Sequence, residues 1–300
     1  MKEILVLSGK GGTGKTTLTG SLAALVPNKV LADCDVDAAD LHLILDPERG
    51  EPREFWSGVK AEVDAEICTG CGLCYEICRF GAITMDDVAA VDPLACEGCG
   101  VCAHFCPEKA IRLKDCLCGH WFASQTRFGP MVHAELGIGE ENSGKLVSLV
   151  KRETRKVAQE TGAEWILVDG PPGIGCPVIA SVSGADIILA VTEPTPSGLH
   201  DLERLLDLAR HFKIPAAVCV NKWDINADMS AKIENYCEKQ GVAVAGRIPF
   251  DAAVVKGLVA GKPVVEYDDG PATSAIKELW KVLEKMAVES ERHKEVQKWA

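Results

Sequence analysis

The sequence has no apolar run long enough to cross a membrane. Stretches such as Ile187–Val191 fall far short of the ~18 residues a spanning helix needs. Positive charge is in deficit too: 32 basic residues stand against 44 acidic ones, a formal net charge of −12. A nucleic-acid grip needs a basic face to neutralise phosphates, and an anionic membrane surface offers this chain no electrostatic help. No nucleic-acid or membrane partner is therefore expected. A charged leader with a small-residue cleavage site is missing as well. Met1 leads at once into Ile4–Leu7 and a glycine-rich loop, so a cytoplasmic setting is expected. Cysteine, at 14 of 300 residues, lies below the ~8–10% of a small disulfide scaffold. In a reducing compartment, clustered cysteines more often bind metal than pair with each other.

What is present is an ordinary globular mixture, 47% hydrophobic and 25% charged. At roughly 150 residues each, the length suggests about two domains. The cysteines carry the first strong signal. Cys68, Cys71, Cys74 and Cys78 follow C-x2-C-x2-C-x3-C, and Cys96, Cys99, Cys102 and Cys106 repeat it at an offset of 28 residues, with Pro107 completing the second copy. Gly70/Gly98, Gly72/Gly100, Ala82/Ala110 and Ile83/Ile111 coincide at the same offset. This is an internal duplication. Its spacing resembles that of the bacterial two-cluster ferredoxins, in which three cysteines wrap one iron–sulfur cube and the fourth ligates the other. By that rule one [4Fe–4S] cluster takes Cys68, Cys71, Cys74 and Cys106, and the second takes Cys96, Cys99, Cys102 and Cys78. The first copy departs from the pattern, with Arg79 where proline is usual. That is expected to alter the local turn and charge without removing a ligand. The alternative is a pair of structural zinc knuckles, which usually use two cysteine pairs separated by a longer loop. Residues 62–115 hold ten acids and four bases, so −6 of the net charge sits there. Such a surface is either a merely solvated face or one that steers a basic partner.

A second signal opens the chain. Lys2–Leu7 reads as a buried strand and Leu18–Leu25 as a helix, with Ser8-Gly9-Lys10-Gly11-Gly12-Thr13-Gly14-Lys15-Thr16 between them. Gly9-x4-Gly14-Lys15-Thr16 is a phosphate loop. Gly9, Gly11, Gly12, Thr13, Gly14, Lys15, Thr16 and Thr17 are expected to cradle the nucleotide through backbone N–H groups and the helix N-terminus. Lys15 is expected to reach the β- and γ-phosphates and Thr16 to bind Mg²⁺. Lys10, early in the loop, makes the motif resemble the deviant Walker A of the MinD/ParA/Mrp superfamily of P-loop ATPases, which includes nitrogenase-iron-protein-like members.

More of the chain carries that resemblance. Val30–Asp33 reads as a strand ending in Asp33-Cys34-Asp35-Val36-Asp37-Ala38-Ala39-Asp40, and resembles the family's first switch. Trp165–Val168 reads as the next buried strand, followed by Asp169-Gly170-Pro171-Pro172-Gly173, which resembles Walker B with the second switch. The resemblance implies that Lys10 reaches a partner's nucleotide across a homodimer, that Asp35 orients the attacking water, and that Asp169 holds Mg²⁺ through water. Asp37 and Asp40 are given no role. Asn221-Lys222-Trp223-Asp224 has the N-K-x-D form that reads guanine in GTPases, where the aspartate takes the base's N–H groups. The motif set as a whole favours ATP, with Asn221 at the adenine and Pro249, in Ile248-Pro249-Phe250-Asp251, on the segment beside it.

Weaker motifs are expected to be decoys. Gly139-x4-Gly144-Lys145 lacks the Ser/Thr of a phosphate loop, and Asn142–Lys145 reads better as entry to a helix over Leu146–Val157 with Ser143 as its cap. Cys116-x-Cys118-x-His120 offers three metal-capable side chains but reads better as a buried or redox-inert pair of cysteines. Cys176 is either a small residue starting a buried helix before Pro177 or, by resemblance to the nitrogenase iron protein, a thiolate that pairs across the dimer to hold a third, labile cluster or redox centre where the nucleotide state could move it.

The expected fold is α/β, a doubly wound, mostly parallel P-loop NTPase sheet over 1–61 and 114–300, with a small α+β ferredoxin-like domain inserted at 62–113. The terminal Ser274–Val288 puts Ile276, Leu279, Trp280, Leu283 and Ala287 on one helical face, expected to pack on the sheet. Three functions fit. The first is an ATPase that couples a dimer and switch change to electron transfer toward a redox partner. The second is an iron–sulfur carrier ATPase of the Mrp type serving an apo-protein, although Cys219 and Cys237 stand alone where such carriers place a C-x-x-C pair. The third is a positioning or regulatory ATPase with clusters as a redox sensor.

Overall fold

The computed structural model describes residues 1–137 and 143–298, the side chains of 290–298 excepted. Its strands are β1 (Lys2–Ser8), β2 (Lys29–Asp33), β3 (Arg53–Val63), β4 (Ile83–Met85), β5 (Ala89–Val91), β6 (Ile111–Thr126), β7 (Gly129–Leu136), β8 (Trp165–Pro172), β9 (Ile187–Thr192), β10 (Ala216–Asn221) and β11 (Ala243–Ile248). They distribute over two compact units.

The first unit comprises Met1–Pro52, Trp121–Glu135 and Ser143–Ala300. Strands β1, β8, β9 and β10 are nearly continuous apolar runs, the pattern of a parallel sheet covered on both faces. The order is β11-β10-β9-β1-β8-β2-β7, with β6 beside β7. The paired strands from β11 to β7 run parallel. The chain leaves β1 toward β2 on one side and later fills β9, β10 and β11 on the other. The carboxyl end of β1 is thus a topological switch point, where open α/β sheets bind ligands.

Helix Lys15–Leu25 follows β1 and buries Leu18, Leu22 and Ala23. Together with Leu31, Leu167 and Leu189 they form the main core. The last helix, Pro271–Lys298, adds Ile276, Leu279, Trp280, Leu283 and Ala287 to the same core. Trp280 meets Trp165 edge to face at 5.1 Å. The apolar stripe read from the sequence is therefore packed, not presented to solvent. Helix Ser143–Thr161 includes Ser143. The decoy residues Gly139 and Asn142 lie outside the described residues.

The second unit comprises Arg53–His120 and Leu136–Asn142. Strands β3 and β6 carry it beyond the 62–113 segment at both ends. Short helices Leu73–Ile77 and Val101–Phe105 occupy matching places in the two repeat copies, and the antiparallel β4–β5 ladder lies between them in sequence. The copies exchange backbone hydrogen bonds reciprocally. Asp64 N–H donates to Ala110 O at 2.7 Å, and Asp92 N–H, 28 residues on, donates to Ala82 O at 2.8 Å. Gly98 takes φ +62, and a Cβ there would lie 1.9 Å from Val59 O. Only glycine fits that approach.

Leu167 is fully enclosed at the centre of the first unit's core. Leu167→Ala is expected to lower the unfolding free energy by about 2–5 kcal/mol in a denaturant titration. A loss under about 1 kcal/mol would contradict this placement of β8.

Candidate functional site

The phosphate-loop residues lie at the carboxyl end of β1. Gly12 and Gly14 take φ of +81 and +87, turning the chain tightly into the helix that begins at Lys15. A cavity of about 550 Å³ opens over them, lined by Gly11, Gly12, Thr13, Gly14, Lys15, Thr16 and Thr17. Asp35, Asp37, Asp40, Pro171, Pro172 and Pro177 close its other side. Its size falls within the ordinary range of small-molecule sites. Gly9 is not at the cavity. It packs against helix Pro196–His211, where a Cβ would come 2.2 Å from Asp201 Cβ.

Asp169 is fully buried and organises the cavity floor. Lys15 Nζ lies 2.9 Å from Asp169 Oδ1 and 3.6 Å from Asp35 Oδ2. Thr16 Oγ1 donates to Asp169 Oδ2 at 2.7 Å, and Thr19 Oγ1 donates to Oδ1 at 2.9 Å. Burial alone would lower the Lys15 ammonium, but Asp169 and Asp35 outweigh it and hold it above its usual value. Asp33 stands opposite Asp169 in the β2–β8 register. Burial, then the Asp169 charge, push the Asp33 carboxyl well above the usual range, while it accepts the N–H groups of Asp35 and Leu41. Burial also raises Asp35, to about 6, against the opposing pull of Lys15.

Lys10 turns back on its own chain, 3.3 Å from Ser197 Oγ and 3.9 Å from Glu193 Oε2. Asn221 Nδ2 donates to Thr13 O at 2.8 Å, and its Oδ1 accepts the Lys222 N–H, so the amide pins the phosphate loop. Asp224 Oδ1 accepts the N–H of Phe250, next to Pro249, at 2.7 Å. Thr19, Asp33, Asp37, Asp40 and Pro177 are site residues that sequence reasoning missed. Asp33 carried a usable signal, since like Asp169 it is an acid ending a buried strand.

In the second unit the eight repeat cysteines gather around two cavities. Cys68, Cys71, Cys74 and Cys106 line one. Cys78, Cys96, Cys99 and Cys102 line the other, about 360 Å³ in volume, beside Arg79 and Glu97. Each cavity thus takes three cysteines from one copy and the last from the other. Burial raises the Cys74 and Cys102 thiols, the third cysteine of each copy. The N–H of Ala61 points to Cys96 Sγ at 3.5 Å and that of Ala110 to Cys106 Sγ at 3.3 Å. Gly70, Gly72, Gly98 and Gly100 all take positive φ between the cysteines. Among the described residues, no three His, Cys, Asp or Glu side chains converge as a single metal ion requires.

The remaining cysteines divide. Cys118, on β6, is buried and donates to Ser57 O at 2.8 Å, with half-buried Cys116 and His120 at alternate positions of the same strand. Cys176 begins helix Cys176–Val182 but is exposed. That corrects the expectation of a buried position: Gly175 and Cys176 stand at the free end of the helix, and its buried face starts at Val178.

Over residues 4–264 the chain matches the family described as the CobQ/CobB/MinD/ParA nucleotide binding domain. It is 35% identical over 284 residues to an uncharacterised protein of Methanocaldococcus jannaschii, covering 94% of this chain and 96% of that one. A segment of 130 residues is 28% identical to the iron-sulfur cluster carrier protein of Pyrococcus horikoshii, covering 39% of this chain and 43% of that protein. The fold is similar to the septum site-determining protein MinD of Pyrococcus horikoshii OT3, solved with Mg-ADP, with a TM-score of 0.58 and 19% identity over 96% of this chain and 98% of that one.

The raised Asp35 carboxyl has a consequence for stability. A folded-state value near 6, against an ordinary 3.8, means that its ionisation opposes folding. Its contribution is fully favourable below about pH 4 and is lost as pH rises through 6. Asp35→Asn is expected to leave the nucleotide-free protein's stability nearly unchanged at pH 4. At pH 7 it is expected to raise it by on the order of 1 kcal/mol after solvent screening. Thermal unfolding at the two pH values checks this; a variant less stable at pH 7 would contradict it.

Proposed function

Since the chain belongs to the CobQ/CobB/MinD/ParA nucleotide-binding family, we propose that it is a Mg-ATP-dependent ATPase whose switch and dimer changes gate electron transfer through two [4Fe–4S] clusters. The observation that carries the iron–sulfur half is the exchange of the fourth cysteine between two cavities. Four soft thiolate donors around a void suit a cluster. A lone tetrahedral zinc would need its sulfurs drawn to ~2.3 Å of one point. Gly70, Gly72, Gly98 and Gly100, at positive φ, turn the chain tightly between the cysteines, and the N–H groups of Ala61 and Ala110 point at Cys96 and Cys106. On this reading the ferredoxin-like domain holds one cluster with Cys68, Cys71, Cys74 and Cys106, and the other with Cys96, Cys99, Cys102 and Cys78. Such clusters supply one-electron chemistry at potentials tuned by hydrogen bonding and exposure.

The nucleotide half rests on the loop from Gly9 to Thr17 and on the Asp169 network. Lys15, held between Asp169 and Asp35, is the positive charge that phosphates seated over the loop would meet. Thr16 and Asp169, already hydrogen-bonded, supply the oxygens for Mg²⁺. Asp35 faces the same cavity and orients the attacking water. Lys10 leaves Ser197 and Glu193 to reach the second nucleotide of an ATP-bound homodimer. Adenine is favoured over guanine on the motif set as a whole, with Asp224 Oδ1 accepting the Phe250 N–H on the segment beside the base. Among the described residues no helix is long and apolar enough to cross a membrane. The setting proposed is cytoplasmic, with an electron-transfer protein as partner.

The partial relative named as an iron-sulfur cluster carrier protein supports a second reading, cluster delivery to an apo-protein. Complete transfer of iron and sulfide to an apo-acceptor would favour it. Retention of the clusters with ATP-dependent reduction of a partner favours electron transfer.

Anaerobic reconstitution is expected to load about eight irons and eight sulfides per chain, with EPR signals of two reduced cubes. A chain that takes up zinc but no iron overturns the reading. Lys15→Ala is expected to abolish Mg-ATP binding in a calorimetric titration while leaving iron content intact, since it removes the charge facing the β- and γ-phosphates. Native protein that binds GTP tightly and ATP weakly would contradict the adenine assignment.

A further inference from the structure

Helix Cys176–Val182 joins the nucleotide cavity at one end and a buried charge cluster at the other. At its start, Pro171, Pro172 and Pro177 line the cavity, and Gly173 takes φ +86 in an exposed or half-buried glycine-rich stretch. Such a stretch absorbs backbone rotation at low cost. The far end is built in the opposite way. Lys151, 3% exposed, donates to the carbonyls of Ser181 and Ser183 and pairs with Glu3 Oε1 at 2.6 Å. An ammonium has three protons, and here all three find acceptors on two elements. Arg155 donates to Ser183 O at 2.7 Å and to Glu3 Oε2 at 2.9 Å. Its guanidinium also closes on Gly184, where a Cβ would lie 2.2 Å from Nη2. Glu3 sits in β1, the strand that leads into the phosphate loop, and its N–H donates to Asp186 at 2.8 Å.

The helix therefore has a soft, exposed end beside the nucleotide and a clamped end tied to the central strand. Cations at a helix C-terminus also meet its free carbonyls and negative dipole end. Lys151 and Arg155 belong to helix Ser143–Thr161, whose Gly144 packs against Cys176 at the soft end, within 3.5 Å of a built Cβ. That helix follows directly on the segment Leu136–Asn142 of the second unit.

We propose that Lys151 and Arg155 are positioning residues that fix the C-terminal end of helix Cys176–Val182 as a pivot, so that nucleotide state moves only its Cys176 end. They touch no phosphate and act through the helix. The movement reaches Gly144, and with it the start of the helix that follows the cysteine-bearing unit. This inference rests on the nucleotide half of the function proposed above and is independent of the iron–sulfur half.

The test is amide hydrogen exchange read by mass spectrometry, with and without a non-hydrolysable Mg-ATP analogue whose binding is measured separately. In the native chain the analogue should change exchange over Gly173–Val178 and leave Ala180–Ala185 unchanged. In Lys151→Met the change should spread into Ala180–Ala185, while affinity for the analogue stays within a few fold. Arg155→Gln, at a more exposed position, should show the same spread in weaker form and serves if Lys151→Met fails to fold. Failure of the native chain to bind the analogue overturns the nucleotide reading and the pivot together. Binding with equal changes at both ends overturns the pivot alone, as does a folded variant that keeps the native pattern.

Discussion

One fully buried carboxyl group, Asp169 on β8, organises the nucleotide site. A charge in that position is tolerated only if it is paired and hydrogen-bonded. Lys15, Thr16 and Thr19 all meet it, which ties the phosphate loop and its helix to the central strand. The sheet register then brings Asp33 opposite Asp169, so two buried acids share one lysine. Burial keeps Asp33 protonated, so the negative charge in excess of Lys15 comes from Asp35 beside Asp169; a divalent cation would relieve it, and a phosphate arriving over the loop would compete with Asp169 for Lys15. The same network that stabilises the protein alone is thus poised to respond to Mg-nucleotide.

The second unit follows from a different constraint, its internal duplication. Two copies at an offset of 28 residues pack with reciprocal hydrogen bonds from Asp64 and Asp92. That exchange puts Cys78 with the second copy's cysteines and Cys106 with the first. Symmetry is broken at the position after the fourth cysteine, where Arg79 answers to Pro107, and each borders its own cavity. The proposed preference for electron transfer over positioning rests on this pair of four-cysteine cavities.

The parts of this arrangement that were legible in the sequence are local ones. The phosphate loop, the acid ending each buried strand, the cysteine spacing and the apolar stripe of the last helix are patterns over a few residues, set by strand and helix period. What was not legible depends on distant chain segments meeting. Thr19 reaches Asp169 across 150 residues of sequence, and Asn221 reaches Thr13 across 208. Gly9, taken as part of the cradle, instead accommodates Asp201. The role of Asn221 in pinning the loop, and the hold of Phe250 on Asp224, could not be read from N-K-x-D, because that tetrapeptide is shared by guanine-reading sites. The exposure of Cys176 likewise depends on where the helix end stands, not on Pro177 beside it.

The central claim is that nucleotide and clusters are coupled. The most direct measurement is an EPR-monitored redox titration of the anaerobically reconstituted protein with and without Mg-ATP. The account predicts that Mg-ATP moves the midpoint potential of at least one cluster and that Lys15→Ala abolishes the movement. Identical potentials in both conditions, in protein shown to bind Mg-ATP and to carry two cubes, would contradict it.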